Sequence, residues 1–168
     1  MRQQEWATDQ IEVVVSGFLT TRHRLETPAG TLGEITVSAF GRHAFFRGAD
    51  GRELVMYQPR WWKGEYQLRE GQAVLGTAWP RGFFSHQIIV EFAGQTHTLE
   101  PTSFWKRGWQ LVDEAGGRLL GIEPRGVFRR GARLAILGEI DLALLAFSYY
   151  LVHKRWEAEH AAVAAAAH

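Results

Sequence analysis

From Ile140 to Val152 the chain reads IDLALLAFSYYLV, apolar on every side of any helix it forms and interrupted by a single serine. A helix of that kind has no face to offer water, so it must be enclosed by lipid or by protein. Crossing a bilayer takes about 20 apolar residues. This run has about 13 before it turns polar at His153, Lys154 and Arg155. It is therefore expected to lie at the centre of a protein core, with no transmembrane span, and the rest of the chain must supply the wall around it.

Composition limits what that wall can be. At 168 residues and 46% hydrophobic, with seven tryptophans and ten phenylalanines, the sequence can build one domain over residues 1–168 with a large aromatic interior. There is no cysteine, which removes disulfides, thiolate nucleophiles and thiolate metal sites, and fits a cytoplasmic setting. The opening MRQQEWATDQ has no apolar signal core. A net charge of +1 gives the whole chain no bias toward nucleic acid. Any electrostatic function must come from how charges are segregated.

Repetition supplies the architecture. RLETPAGTLG (24–33), QLREGQAVLG (67–76) and QLVDEAGGRLLG (110–121) each place a leucine before a polar glycine turn and a Leu-Gly pair after it, at Leu32, Leu75 and Leu120. Pro80-Arg81-Gly82 recurs as Pro124-Arg125-Gly126, and Trp62-Lys63-Gly64 as Trp105-Lys106-Arg107-Gly108. Within each unit the apolar residues alternate, as at Ile88, Val90 and Phe92, which is strand periodicity. Four strands per unit are expected at 22–27, 31–39, 43–48 and 53–59, then at 65–70, 73–80, 86–92 and 95–101. The third unit supplies 109–113, 118–124 and 132–137, with the apolar helix in the fourth place. A strand at 11–15 brings the total to twelve.

Twelve antiparallel strands hide their edges by closing into a barrel, and a barrel that wide has a lumen its own side chains cannot fill. The fold class expected is mainly β: a closed antiparallel barrel of about twelve strands (about 11–137) around a central hydrophobic C-terminal helix (about 141–156). Asp141 is placed to cap that helix, and residues 157–168 are expected to fray.

Strands repeated around Leu-Gly turns and followed by a C-terminal apolar helix resemble the tubby C-terminal-like superfamily, which includes tubby domains, phospholipid scramblases and plant LURP-one-related proteins. The resemblance runs from about Ile11 to Trp156. It implies a twelve-stranded barrel threaded by one hydrophobic helix. It carries over no ligand residue, and the proline-rich leader and cysteine cluster of scramblases have no counterpart in the sequence.

Strand direction sorts the charges. Turns holding Glu26, Asp50, Glu70, Asp113 and Glu114 share one end. Arg42, Arg60, Lys63, Arg81, Lys106, Arg107, Arg125, Arg129 and Arg130 share the other, with Trp61, Trp62, Phe83, Phe84 and Trp105 nearby. The helix is expected to enter at the acidic rim and leave at the basic one. Cations among tryptophans suit anionic lipid headgroups, an acidic protein or, less well, single-stranded nucleic acid. The ligand-binding set expected on that rim is Arg60, Lys63, Arg81, Lys106, Arg107, Arg125, Arg129 and Arg130.

Reaction chemistry is sparse. Ser85 and His86 face opposite sides of a strand and cannot act as nucleophile and base, and there is no Gly-x-Ser-x-Gly elbow or phosphate-binding loop. No cofactor and no catalytic residue are assigned. His153, Glu157 and His160 at i, i+4 and i+7 make a weak candidate metal site. The expected function is a non-enzymatic binding or adaptor module, cytoplasmic and peripheral to the membrane. One alternative is an enzyme or carrier with a lipid or small apolar ligand between helix and wall, beside Ser148, Tyr149 or Tyr150. Another is a scramblase-like protein with the helix in lipid.

Overall fold

The computed structural model describes residues 9–82, 85–103, 107–126 and 130–167. Twelve strands precede one long helix: β1 (Gln10–Ser16), β2 (Thr20–Thr27), β3 (Gly30–Ser38), β4 (His43–Gly48), β5 (Glu53–Arg60), β6 (Glu65–Glu70), β7 (Ala73–Pro80), β8 (Ile88–Phe92), β9 (Gln95–Ser103), β10 (Gly108–Val112), β11 (Arg118–Pro124), β12 (Gly131–Ile136) and α1 (Leu142–Ala166). Each strand pairs with its sequence neighbours, and β1 pairs antiparallel with β12 to close the barrel, Gln10 opposite Ala135 and Val14 opposite Gly131. No sheet edge is left open. The alternation is what orients each wall: in β4, Ala44, Phe46 and Gly48 point inward while His43, Phe45 and Arg47 face out.

The repeat is visible as a repeated defect. Register shifts fall after Leu25 in β2, Leu68 in β6 and Leu111 in β10, three buried leucines 43 residues apart. Opposite them the partner strand carries one extra residue: Leu32, Leu75 or Leu119. An extra residue of this kind bends a strand and increases its twist, as wall closure requires. The sequence pattern had placed the third Leu-Gly pair at Leu120-Gly121. In the structure Leu119-Leu120 is the true counterpart of Leu32-Gly33 and Leu75-Gly76. Gly33 is glycine because a Cβ there would lie 2.5 Å from the Phe46 ring. In the third unit Leu120 occupies the same place and is itself fully buried.

Helix α1 fills the lumen. Asp141 caps it, accepting a 2.7 Å hydrogen bond from the Ala143 backbone N–H, and also receives Arg52 Nη1 at 3.3 Å. Every residue from Leu142 to Val152 is buried. Leu144, Leu145, Phe147 and Leu151 all pack in one continuous core with inward residues such as Ile35, Phe46, Met56 and Val90. These side chains therefore pack against protein, as expected for a helix at the centre of a core. No helix among the described residues is long and apolar enough to cross a membrane.

The helix runs past the point expected from sequence. It continues beyond Trp156 to Ala166, with residues 157–167 exposed, where fraying had been expected. Alanine has the highest helix propensity, and Arg107 fastens the outgoing turns: its side chain reaches Glu159 at 3.1 Å and His160 at 3.2 Å, and its carbonyl accepts the Trp156 indole N–H at 3.1 Å.

Candidate functional site

The β1–β2, β3–β4 and β5–β6 turns follow one another around the rim from which α1 emerges. Each carries large apolar side chains at its tip. Phe18 is 88% exposed and Leu19 58%, Phe40 is 88% exposed, and Trp61 and Trp62 are 59% and 66% exposed. Local geometry shapes the turns that present them. Gly17 has φ +89 with the Thr20 carbonyl against the place of its missing Cβ, so only glycine fits that turn. The Ala39 N–H donates to the Leu19 carbonyl at 2.9 Å, tying the first turn to the second. Trp61–Lys63 forms a 3-10 turn ended by Gly64 at φ 64.

Cations ring these tips. Arg42, Arg60 and Lys63 belong to the same turns and are exposed, and none has an ion-pair partner among the described residues. Of the eight basic residues expected to bind ligand, the structure places Arg60, Lys63, Arg81, Arg107, Arg125 and Arg130 at this end of the barrel. They are not equivalent. Arg125 pairs with Glu12 at 3.2 Å, Arg107 with Glu159, Arg130 donates to the Gly17 carbonyl at 2.6 Å, and Arg81 donates to Gln87 at 3.0 Å. Arg107 also holds φ +53, the left-handed place that Gly64 fills one repeat earlier. Its role is structural, clasping the helix. Lys106 and Arg129, with Phe83, Phe84 and Trp105, lie outside the described residues.

The three proposed metal ligands are not brought together. His153 Nε2 lies 3.1 Å from Glu157 Oε1, but His160 turns to Arg107. No group of three suitable ligands occurs among the described residues. What the helix positions instead is a buried polar cluster that spacing could not reveal. His23 of β2, fully buried, lies 2.6 Å through Nδ1 from the Tyr149 hydroxyl and 2.9 Å through Nε2 from Thr21 Oγ1. A neutral imidazole donates at one nitrogen and accepts at the other, which these two partners satisfy. The His153 ring stands edge-on 4.5 Å away. Burial, and then the neighbouring His153, lower the His23 pKa to about 3. Burial raises that of Tyr149. Glu157 is held down at about 2, chiefly by its hydrogen bond to His153.

Between α1 and the β5–β8 wall, at the same end, a pocket of about 200 Å³ opens. Tyr66, Ile88 and Leu151 line it, with Gln58, Lys154 and Arg155. Tyr66 meets Tyr150 edge-on at 5.9 Å. Burial pushes the Tyr66 phenol up to about 12, against the opposing influence of Arg155. Ser148, Tyr149 and Tyr150 are all buried in the core, and this pocket opens one turn further along the helix.

No protein-family model matches the chain, and no curated protein matches it. Among solved structures it is similar to the X-ray structure of a protein from Arabidopsis thaliana, AT5G01750. The TM-score is 0.60 and the identity 12%, covering 88% of this chain and 91% of that one. At that identity the likeness is one of fold.

Proposed function

We propose that this chain is a tubby-like barrel acting as a non-enzymatic binding module, docking on anionic membrane surfaces through the rim from which α1 emerges. The observation that carries the reading is the row of exposed Phe18, Leu19, Phe40, Trp61 and Trp62 on three neighbouring turns of one rim, interleaved with Arg42, Arg60 and Lys63, which have no ion-pair partner among the described residues. Exposed apolar clusters of this kind mark interaction surfaces. Aromatic rings favour the headgroup level of a bilayer, and each nearby cation adds about 1 kcal/mol at an anionic leaflet. The filled lumen favours an outer surface as the place of binding. The barrel with its threaded helix, and the likeness to the Arabidopsis structure, support the tubby-like assignment.

Co-sedimentation with vesicles tests this. The chain is expected to bind vesicles containing phosphatidylserine and to bind pure phosphatidylcholine weakly. Reversing Arg42, Arg60 and Lys63 to Glu should reduce binding at least about tenfold, whereas reversing Arg125, already paired with Glu12, should change it little. Equal binding by the triple reversal and the parent would overturn the reading.

A further inference from the structure

We infer that the pocket between α1 and the β5–β8 wall is a binding site for a small carboxylate with a compact apolar body. This does not rest on the membrane reading. Three observations lead to it. First, much of its wall is apolar: Ile88 and Leu151, both buried, line it together with Tyr66 and Pro80. Second, the charged residues that line it are cations. Arg155 has no ion pair among the described residues, and Lys154 is shared with Glu157 at 2.8 Å. Third, the neutral polar groups are suited to donate. The Tyr66 hydroxyl has no hydrogen-bond partner among the described residues, and Gln58 brings an amide.

The lining of this one pocket thus combines a guanidinium, a phenol and an amide with apolar side chains. A planar carboxylate has two oxygens to accept from such donors, and the phenol would find in it a partner that none of the described residues supplies. Volume restricts the rest of the molecule. Drug-sized ligands occupy about 300–1,000 Å³, and a cavity of about 150 Å³ holds one benzene. At about 200 Å³ the site has room for one ring or a short alkyl chain. The pocket thus selects a class: monoanionic, singly ringed or short-chained, carboxylate-headed.

Isothermal titration of the full chain with octanoate, 1-octanol and inorganic phosphate separates the contributions. Octanoate is expected to saturate one site, with octanol at least about tenfold weaker and phosphate without measurable binding. Arg155→Gln should weaken octanoate by about 10- to 100-fold, the range for losing a charge-assisted hydrogen bond. Ala158→Trp, on the exposed helix face that lines the pocket, should abolish binding while leaving the circular dichroism spectrum and melting unchanged. Absence of saturable octanoate binding would overturn the inference. So would octanol binding as tightly as octanoate, phosphate binding alone with equal affinity, or octanoate binding unaffected by both substitutions.

Discussion

His23→Leu is expected to reverse the order of stability between neutral and acid pH. In the native barrel His23 stays neutral down to about pH 3, whereas in the unfolded chain it titrates near 6.5. Between those values the unfolded chain binds a proton that the folded one refuses, so native stability falls as pH falls. The slope is about 1.4 kcal/mol per pH unit once well below 6.5. By pH 5 the parent should have lost about 2 kcal/mol through this one residue. Leucine removes the titration, but it strands the Tyr149 hydroxyl, now bonded to His23 at 2.6 Å. An orphaned buried hydroxyl costs about 1–3 kcal/mol. The variant should therefore be less stable at pH 7 by about that amount, equal to the parent near pH 5, and more stable below it. Glu157, also depressed, adds acid sensitivity below its ordinary range, but it is half-exposed and present in both proteins. Urea unfolding followed by tryptophan fluorescence at several pH values measures the difference. A stability difference that stays constant from pH 7 to pH 4 would refute the reasoning, because it would mean that His23 takes up its proton without leaving its place.

Two substitutions test the helix as the filling of the barrel. Phe147→Ala removes a fully buried ring from the lumen and should cost about 3–5 kcal/mol in chemical denaturation; a loss below 1 kcal/mol would mean that the wall can collapse onto the gap. Asp141→Ala should cost about 1 kcal/mol through the lost cap. Asp141→Asn keeps a capping oxygen and loses only the half-exposed contact with Arg52, so it should stay close to the parent in thermal melting.

Much of this barrel was legible in the chain because its determinants are local and periodic. Alternation through Ile88, Val90 and Phe92 announces β8, and a turn glycine at positive φ such as Gly51 or Gly94 closes a hairpin. The third repeat was misaligned by one residue, since Leu119-Leu120-Gly121 offers two leucines and only the register of β10 against β11 says which one is extra. The helix end was placed too early, as the alanines of 161–166 bury nothing, and their helical form follows from propensity and the Arg107 clasp.

The sites were harder to read than the fold. His23 and Tyr149 are 126 residues apart, and nothing in the neighbourhood of either signals the other. Phe18 and Phe40 are short apolar interruptions in polar turns, and they gain meaning only when the meander sets their turns on the same rim as Trp61 and Trp62. Basic residues were the opposite case. Arg107 and Arg125 look free in sequence, yet Glu159 and Glu12 occupy them in space.

Quenching of tryptophan fluorescence by brominated lipids tests the central claim most directly. If the rim docks on the bilayer, vesicles of brominated anionic lipid should quench the parent strongly, with bromines near the headgroup more effective than bromines at the chain ends. Replacing Trp61 and Trp62 with Phe should remove most of that quenching while vesicle binding persists through the remaining apolar tips and cations. Quenching that survives the double replacement undiminished, or its absence in the parent at saturating vesicle, would place the contact elsewhere on the barrel and contradict the account.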